Sequence, residues 1–446
     1  MLRLRLPHPL VLLTACILVA AAMTWVVPTG QFDRRDDPAT GRRVVVSGTY
    51  HKVDAHHVGL FDALLAIPRG LVDAASVVFF VFLVGGAFTV VDETGALREA
   101  VGALVLRLAG RDVLVIPIVC LAFAAAGALE NMAEEIIALV PVLLLVTRRL
   151  GFDAITAVAI SIGAAGVGAA FSPINPFQVQ IAQKLAGLPL LSGWVFRSCA
   201  LAAALALWIA GTWRYAVRTR RPVEAEEVHA ARFEPGMARV LAIVILAFGT
   251  FVFGVIRLGW DFDQMGALFF GMGLAAGIAG GLGFGGTAEG FVRGFASMAY
   301  AGLLIGFARA IFVVLDEGRI VDTIVKVLVS PLQHLPLTLG AMGMLGVQAL
   351  IHIPVPSVSG QAVLTMPLVV PVSDLIGLSR QVTVLAYQCG AGLTDLVTPT
   401  NGAIVAVTAA AGVKFSDWLS FAVPLYLFLI VFSCICLGIA IALQIA

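Results

Sequence analysis

Two short polar interruptions of long apolar stretches carry the residue types that can bind a small solute or ion. The first is SPINPF, from Ser172 to Phe177, and the second is TPTNGA, from Thr398 to Ala403. Proline lacks an N–H and disfavours a helical residue before it, so each interruption is predicted to break a helix and to free backbone carbonyls. Freed carbonyls attract cations, whereas a capped helix N-terminus attracts carboxylates through its N–H groups and its dipole.

Each interruption also has an asparagine that can cap the half-helix restarting after it. Asn175 precedes Pro176, and Asn401 precedes Gly402. We predict that the two breaks together form a site for an anion and its coupling cation. The residues predicted to contact substrate or ion at the breaks are Ser172, Asn175, Thr398, Thr400 and Asn401, and a coupling Na⁺ is expected at Ser172, Asn175, Thr398 and Asn401. A proline kink that serves packing is the alternative for each break.

A second set of candidate residues belongs to the acidic sequence ENMAEE, residues 130–135, between apolar arms at 113–129 and 136–146. A carboxylate at the centre of a spanning helix costs about 2.5 to 3.5 kcal/mol on insertion scales, so acids kept there need a function or access to water. Glu134 and Glu135, with Asp395 near the second break, are predicted to bind a proton, Na⁺ or a substrate ammonium group, and Asn131 is also predicted to contact substrate or ion. Asn131 and Glu134 also fit an N-x-x-E capping box, a structural alternative that leaves Glu135 unexplained.

The corresponding tip in the second half of the chain is neutral. Its sequence is PSVSGQ, residues 356–361. Ser357, Ser359 and Gln361 are predicted to offer uncharged hydrogen bonds to a solute, with packing or capping as the alternative. His352, just before this tip, can relay protons or can be a buried, hydrogen-bonded histidine.

The composition indicates what kind of structure positions these residues. Of the 446 residues, 60% are hydrophobic and 12% are charged, and the mean hydropathy is +1.01. Apolar stretches recur at about the 20 residues that a helix needs to cross a bilayer. We therefore predict an all-α polytopic membrane protein with nine full spans and two re-entrant hairpins. The net charge of +1 suggests no nucleic-acid partner, and the six cysteines without CxxC spacing indicate neither zinc nor disulfides.

The predicted order of segments follows from the apolar stretches and the polar segments between them. It is a first span (1–28), an external polar segment with a small hairpin (29–70), a first repeat (71–213), a cytoplasmic linker (214–239), a connecting span (240–261) and a second repeat (262–446). The linker is assigned to the cytoplasm because it contains six arginines. Residues 96–110 suit a helix lying in the membrane interface. The tips lie at 130–135 and 354–361, and the breaks lie at 172–176 and 398–402.

The two halves of the chain share one residue pattern. Ser172 and Thr398 lie 226 residues apart (398 − 172), and a shift of that size places ENMAEE over PSVSGQ. It also aligns residues with fixed backbone roles without a gap: Pro141 with Pro367, Gly166 with Gly392, Pro173 with Pro399 and Asn175 with Asn401. Because one apolar segment lies between the repeats, the second repeat is predicted to enter the membrane from the opposite side. Inverted repeats with broken helices meeting near the midplane are expected of a secondary transporter.

Several sequences taken together resemble a known family over nearly the whole chain. WVVPTGQF, VVVSGTYH, ENMAEE, SPINPF, PSVSGQAVLTMPL and TPTNG are similar to the YfcC-like branch of the DcuC anaerobic C4-dicarboxylate carriers. The resemblance implies an elevator-type carrier of the ion transporter superfamily, in which hairpins and broken helices slide against a scaffold. It also implies a bacterial inner-membrane location, a homodimer, and C4-dicarboxylates or basic amino acids as substrates.

The expected function is secondary active transport of a small carboxylate-bearing metabolite, coupled to H⁺ or Na⁺ or proceeding by exchange. Basic amino acid antiport of the arginine/ornithine type is an alternative. A passive channel and an intramembrane enzyme are alternatives of other classes, and the enzyme is disfavoured because the chain lacks HExxH and a suitably placed serine and lysine pair. No cofactor is predicted, and the expected partners are a small-molecule substrate, the lipid bilayer and a second copy of the chain.

Overall fold

The computed structural model describes residues 8–38, 42–96, 112–221, 235–258 and 260–445. Within these ranges, eight helices are long and apolar enough to cross a membrane: Pro9–Val26, Ala75–Glu93, Asp112–Leu129, Trp194–Thr219, Phe262–Ala279, Gly283–Glu317, Val358–Leu375 and Phe415–Ala442. They do not correspond one for one to the nine predicted spans, because Asp112–Leu129 and Val358–Leu375 are arms of the predicted hairpins. Of the predicted interfacial helix, residues 97–110 lie outside the described ranges, as do residues 222–234 of the predicted linker.

The described helices are numbered here along the chain. Those of the first half are α1 (Pro9–Val26), α2 (Leu60–Asp73), α3 (Ala75–Glu93), α4 (Val115–Glu130), α5 (Val140–Arg149), α6 (Ala154–Val158), α7 (Ala164–Ala170), α8 (Ile181–Leu185) and α9 (Trp194–Thr219). Those of the second half are α10 (Pro235–Leu258), α11 (Phe262–Ala279), α12 (Gly283–Glu317), α13 (Val321–Val329), α14 (Leu337–His352), α15 (Val358–Leu375), α16 (Arg380–Thr394), α17 (Gly402–Ala410) and α18 (Phe415–Ala442). Short 3₁₀ and π segments adjoin them at Asp112–Leu114, Glu134–Leu139, Ala159–Gly163, Pro176–Gln180 and Ser330–His334.

The polar segment after α1 forms two small antiparallel sheets. Strand β1 (Gly30–Gln31) pairs with β4 (His51–Lys52), and β2 (Arg34–Asp37) pairs with β3 (Arg42–Val45). Paired strands agree with the hairpin predicted there, although residues 39–41 between β2 and β3 lie outside the described part of the chain. The end of the predicted polar segment is helical, because α2 begins at Leu60.

One group of helices packs around a cluster of phenylalanine rings. Helix α3 lies against α11 and α12, α11 lies against α10, and α1 and α2 lie against α12. The rings of Phe80, Phe88 and Phe251 each approach that of Phe269, with centroids 5.5 to 6.3 Å apart. Helices α3 and α12 meet at glycines, since a Cβ at Gly294 would lie 2.4 Å from the Cα of Gly86. We call α1–α3 and α10–α12 the scaffold group.

Apart from α9, α13 and α18, the remaining helices form two helical hairpins and two interrupted helices, of which the first comprises α6–α8 and the second comprises α16 and α17. Helices α4 and α5 form the first hairpin, and α4 packs along α7; α14 and α15 form the second hairpin, and α14 packs along α16. The second arm of each hairpin reaches the interrupted helix of the other half. Helix α15 contacts α8 and Pro176–Gln180, while Glu134–Leu139 contacts α17. This cross-packing brings the two tips and the second break to one region.

Element boundaries in the two halves coincide at the shift of 226 residues found in the sequence. Helix α6 begins at Ala154 and α16 at Arg380, the segment after the first break begins at Pro176, and α17 begins at Gly402. The hairpins end at the same place in both halves, since α5 ends at Arg149 and α15 at Leu375. The shared pattern of residues therefore corresponds to a shared pattern of helices.

The crossing of the two interrupted helices is reciprocal. A Cβ at Gly166 would lie 2.7 Å from the Leu396 side chain, and a Cβ at Gly392 would lie 2.9 Å from the Cα of Ala170. Gly392 and Leu396 stand at the positions of Gly166 and Ala170 after the 226-residue shift. The same contact therefore occurs twice with the two halves exchanged, as expected for elements related by a local twofold axis.

Candidate functional site

The first tip is irregular chain between α4 and a 3₁₀ segment. Asn131 ends α4 in a left-handed conformation, with a φ of 56°. Its N–H donates a hydrogen bond to the Gly127 carbonyl at 3.0 Å. Glu134 and Glu135 begin the 3₁₀ segment, and the Glu135 carboxylate accepts the N–H of Ala133 at 3.1 Å. The residue at the N-cap position is Ala133. The Asn131–Glu134 capping box is therefore not formed, and that structural alternative is wrong.

The second tip is organised by a serine cap and a buried glutamine. Ser357 precedes α15, and its hydroxyl oxygen accepts the N–H of Gly360 at 3.3 Å, so the capping alternative applies to this residue. Gln361 is completely buried, and its Nε2 donates to the backbone carbonyl of Gln348 at 2.8 Å. Ser359 lies between them. The tip thus combines a partly accessible serine pair with a glutamine that joins the two arms of the hairpin.

The first break is fastened to the first hairpin by buried side chains. The Ser172 hydroxyl donates to the Ala128 carbonyl at 2.6 Å and accepts the N–H of Asn175 at 2.9 Å. The Asn175 Oδ1 caps two N–H groups of the next segment, each at 2.9 Å, and its Nδ2 donates to the Gly127 carbonyl at 2.9 Å. The predicted Asn175 cap is confirmed. Both side chains are completely buried and satisfied by the protein, which favours a structural role for them over the predicted contact with substrate or ion.

The second break repeats one of these bonds with different residues. The Thr400 hydroxyl donates to the Ile353 carbonyl at 2.6 Å, and the Thr398 hydroxyl lies 2.8 Å from that of Thr400. Ile353 lies 226 residues after Gly127, so the two carbonyls occupy equivalent positions in the two hairpins. A side chain of each break donates a hydrogen bond to the carbonyl of its own hairpin. Thr398 and Thr400 are buried. Of the four residues predicted to hold Na⁺, Ser172 and Asn175 are thus bonded to the first hairpin, whereas Thr398 belongs to the contacts of the second.

Asp395 is the centre of a polar network that joins the second break to the second hairpin. Its Oδ1 accepts a hydrogen bond from Asn401 Nδ2 and lies 2.6 Å from His352 Nε2. The other ring nitrogen of His352 lies 2.8 Å from Gln361 Oε1. Asn401 also caps α17 through its Oδ1, as predicted. The His352 side chain is completely buried, whereas 24% of the Asp395 side chain is exposed.

A cavity of about 530 Å³ lies between the two tips and the second break. Seven of the twelve predicted site residues line it: Asn131, Glu134, Glu135, Ser357, Ser359, Asp395 and Asn401. The other five are buried and do not line it: Ser172, Asn175, Gln361, Thr398 and Thr400. A second cavity of about 30 Å³, room for one water molecule, adjoins Asn131, Asp395 and Asn401.

The cavity between the tips is acidic. Its lining includes the carboxylates of Glu134, Glu135, Asp261 and Asp395, and no described residue that lines it is lysine or arginine. Apolar side chains at its wall come from the first break and from the start of α11: Phe177, Trp260, Phe262 and Met265. Sequence patterns did not predict that residues at the start of α11 line the site. The one sequence signal there is Asp261, which forms a capping box with Gln264 and so marks the start of this helix of the scaffold group.

A third cavity, of about 230 Å³, lies between the polar segment after α1 and the second tip. Arg34, Arg43 and Arg309 line it together with Asp316. Pro356 and Ser357 line both this cavity and the acidic one. The second tip therefore lies between the acidic cavity and the arginine-lined cavity.

Comparison with known proteins gives a family match and two related sequences. Residues 6–442 match the family DcuC, described as C4-dicarboxylate anaerobic carrier. YfcC of Escherichia coli, provisionally named a basic amino acid antiporter, is 31% identical over 468 aligned residues that cover 94% of this chain and 92% of that protein. An uncharacterized protein of Haemophilus influenzae is 28% identical over 495 residues, which cover 98% of this chain and 97% of that protein.

Two solved structures of membrane transporters are similar to this one at low scores. MtrF of Neisseria gonorrhoeae, described with a class of antimetabolite efflux pumps, has a TM-score of 0.43 and 16% identity, covering 98% of this chain and 95% of MtrF. The YdaH transporter of Alcanivorax borkumensis has a TM-score of 0.44 and 18% identity, covering 98% and 99%. Both TM-scores are below 0.5, which is too low to establish a shared fold.

Proposed function

We propose that this chain is a secondary transporter of a basic amino acid. The proposal proceeds from its family, since the chain belongs to the DcuC family of C4-dicarboxylate anaerobic carriers. The family places it among the multi-pass bacterial membrane transporters and not among enzymes. The observation that supports the choice of solute is the charge of the cavity between the tips. Four carboxylates line that cavity, without a lysine or arginine among its described lining residues.

The sign of this charge favours a cationic solute over a dianion. Two like unit charges about 4 Å apart repel by about 4 kcal/mol at an effective dielectric constant near 20. A C4-dicarboxylate would bring two negative charges next to Glu134, Glu135 and Asp395, whereas a basic amino acid brings two cationic groups and one carboxylate. The related protein YfcC carries a provisional name of the same kind.

The neutral side of the cavity suits the carboxylate of an amino acid. Ser357 and Ser359 line it with hydroxyl groups, which can donate hydrogen bonds to a carboxylate. In the proposed orientation the solute carboxylate lies towards Ser357 and Ser359. Its cationic groups lie towards Glu134, Glu135 and Asp395. This arrangement keeps the predicted role of Glu134, Glu135 and Asp395 for the cation, but it moves the solute carboxylate from the two breaks to the second tip.

We also propose that the two halves are inverted repeats and that transport follows an elevator mechanism. The reciprocal crossing at Gly166 and Gly392 supports a twofold relation, and alternating access is expected of two such halves that can exchange roles. The acidic cavity is bounded partly by the tips and partly by Trp260–Met265, at the start of a scaffold helix. A displacement of the hairpins against the scaffold group would therefore change the access to the cavity. Assembly as a homodimer in the inner membrane stays a prediction.

C4-dicarboxylate transport is the second candidate, because the description of the matching family names that substrate. It would require most of the four carboxylates that line the cavity to be protonated or paired when the solute binds. The same proteoliposome measurement distinguishes it from basic amino acid transport.

The test is counterflow in proteoliposomes that contain the purified protein. Vesicles loaded with unlabelled arginine, ornithine or succinate are diluted into labelled arginine or labelled succinate. We expect labelled arginine to accumulate only in vesicles loaded with arginine or ornithine, and labelled succinate to accumulate in none. Succinate counterflow without arginine counterflow would replace the proposal with dicarboxylate transport. Arginine entry that never exceeds the external concentration under any loading would indicate a channel.

A further inference from the structure

The hydrogen bonds of Gln361 fix the protonation of one nitrogen of His352. Gln361 Nε2 lies 2.8 Å from the backbone carbonyl of Gln348, which can only accept a hydrogen bond, so this atom is the amide nitrogen. Gln361 Oε1 therefore faces His352 Nδ1 at 2.8 Å, and Nδ1 must carry the hydrogen. The remaining ring nitrogen, Nε2, lies 2.6 Å from Asp395 Oδ1.

That short contact requires a proton of its own. Two acceptors, a bare ring nitrogen and a carboxylate oxygen, do not approach to this distance without a hydrogen between them. The pair of His352 and Asp395 thus carries one proton in addition to the hydrogen on Nδ1. The pair can be described as imidazolium with carboxylate, or as neutral imidazole with carboxylic acid.

Burial of His352 disfavours a charged ring, whereas the acidic groups around the pair favour retention of this proton. Glu134 and Glu135 at the first tip, and Asp261 just before α11, line the same cavity as Asp395. No described lining residue of the cavity is lysine or arginine. His352 has no exposed surface, so a proton that leaves it reaches the cavity through the partly exposed Asp395.

We propose that His352 and Asp395 form the proton-coupling site, where a proton and the cationic group of the solute exclude each other. This inference depends on the proposed transport of a basic amino acid. The proton on His352 Nε2 passes to Asp395 Oδ1, which leaves a neutral imidazole and a carboxylic acid. The acid then releases the proton to water in the cavity, and the solute ammonium group binds the carboxylate. One positive charge leaves for each one that binds, which is the exchange that an antiporter requires.

The pair also links this exchange to the position of the second tip. His352 ends the first arm of the hairpin, Gln361 lies on the second arm, and Asp395 precedes the second break. Doubly protonated His352 donates to both partners, whereas the neutral ring donates to only one. The positions corresponding to the pair in the first half are Ala126 and Ala169, so the pair is an addition to the repeated framework in one half.

The test measures the number of protons moved per arginine. Proteoliposomes containing a trapped pH dye receive external labelled arginine, and internal alkalinisation is divided by arginine uptake. We expect about one proton to leave per arginine for the unmodified protein, and a ratio near zero for His352→Gln, whose side chain can donate to Asp395 but cannot titrate. His334→Gln, at an exposed histidine, is the matched control and keeps the unmodified ratio. A ratio near one in His352→Gln would overturn the inference.

A second measurement covers the case in which His352→Gln does not fold or does not transport. Arginine is added to the unmodified protein in weakly buffered detergent solution, and proton release is recorded together with binding. Release of about one proton per arginine supports the inference, and binding without release overturns it. Failure of arginine to bind at all would instead contradict the proposed function, so the two failures are distinguishable.

Discussion

Replacement of the Asp395 carboxylate by an amide is the most direct perturbation of the proposed site. Asp395→Asn keeps the size of the side chain and an oxygen that can accept from Asn401, but it removes the negative charge. Asp395 is also the acid that lines both the 530 Å³ cavity and the adjoining 30 Å³ cavity. We expect the KM for arginine to rise strongly in this variant.

The size of the effect follows from the lost ion pair. An ammonium group about 4 Å from a carboxylate gains about 4 kcal/mol at an effective dielectric constant near 20. Removal of one partner of a buried charge pair costs about 2 to 5 kcal/mol in measured complexes. A loss of about 3 kcal/mol, at about 1.4 kcal/mol for each tenfold change, corresponds to a KM increase of about 100-fold.

The assay is the initial rate of labelled arginine counterflow over a range of external concentrations. Glu289→Gln is the matched control, because its carboxylate lies on a helix of the scaffold group and its side chain is 75% exposed. We expect the control to keep the unmodified KM. An Asp395→Asn variant that is folded, and whose KM lies within about threefold of the unmodified value, would refute the assignment of Asp395 to the solute cation.

Two further predictions concern the framework that holds the cavity, and both are checked by the melting temperature of the purified protein. Thr400→Ala removes the hydroxyl that donates to the Ile353 carbonyl and should destabilise the protein by about 0.5 to 1.5 kcal/mol. Thr400→Ser keeps this hydroxyl and should retain most of the stability, so equal melting temperatures for the two variants would contradict this prediction. Gly392→Ala should lower the free energy of unfolding by about 1 to 3 kcal/mol, and by more than Gly166→Ala. The new methyl group at 392 meets the backbone of Ala170, whereas the one at 166 meets the end of a leucine side chain that can move. A larger loss of stability in Gly166→Ala would contradict the described crossing.

The features that sequence patterns predicted best are those set by local backbone chemistry. Pro173 and Pro399 predict the two breaks. Asn175 and Asn401 cap the segments that follow, as predicted. The 226-residue shift likewise corresponds to matching helix boundaries, because proline and glycine fix where a helix can begin or end. Local signals of this kind do not depend on which helices pack together.

The composition of the site depends on such packing and was only partly predictable. Ser172 and Asn175 look like ligands in the sequence, but carbonyls of the first hairpin occupy their donors. Conversely, His352 gains its importance from Asp395, 43 residues later, and from the orientation of Gln361. The pattern of residues within one segment cannot predict a contact between side chains on different helices. The same reason explains why the wall formed by the start of α11 was not predicted.

Equilibrium binding of labelled arginine to the purified protein tests the central claim most directly. That claim is that the acidic cavity between the two tips selects a cationic amino acid. The predicted result is saturable arginine binding that ornithine displaces and that succinate at about 100-fold excess leaves unchanged. Saturable binding of succinate, together with no binding of arginine, would contradict the account.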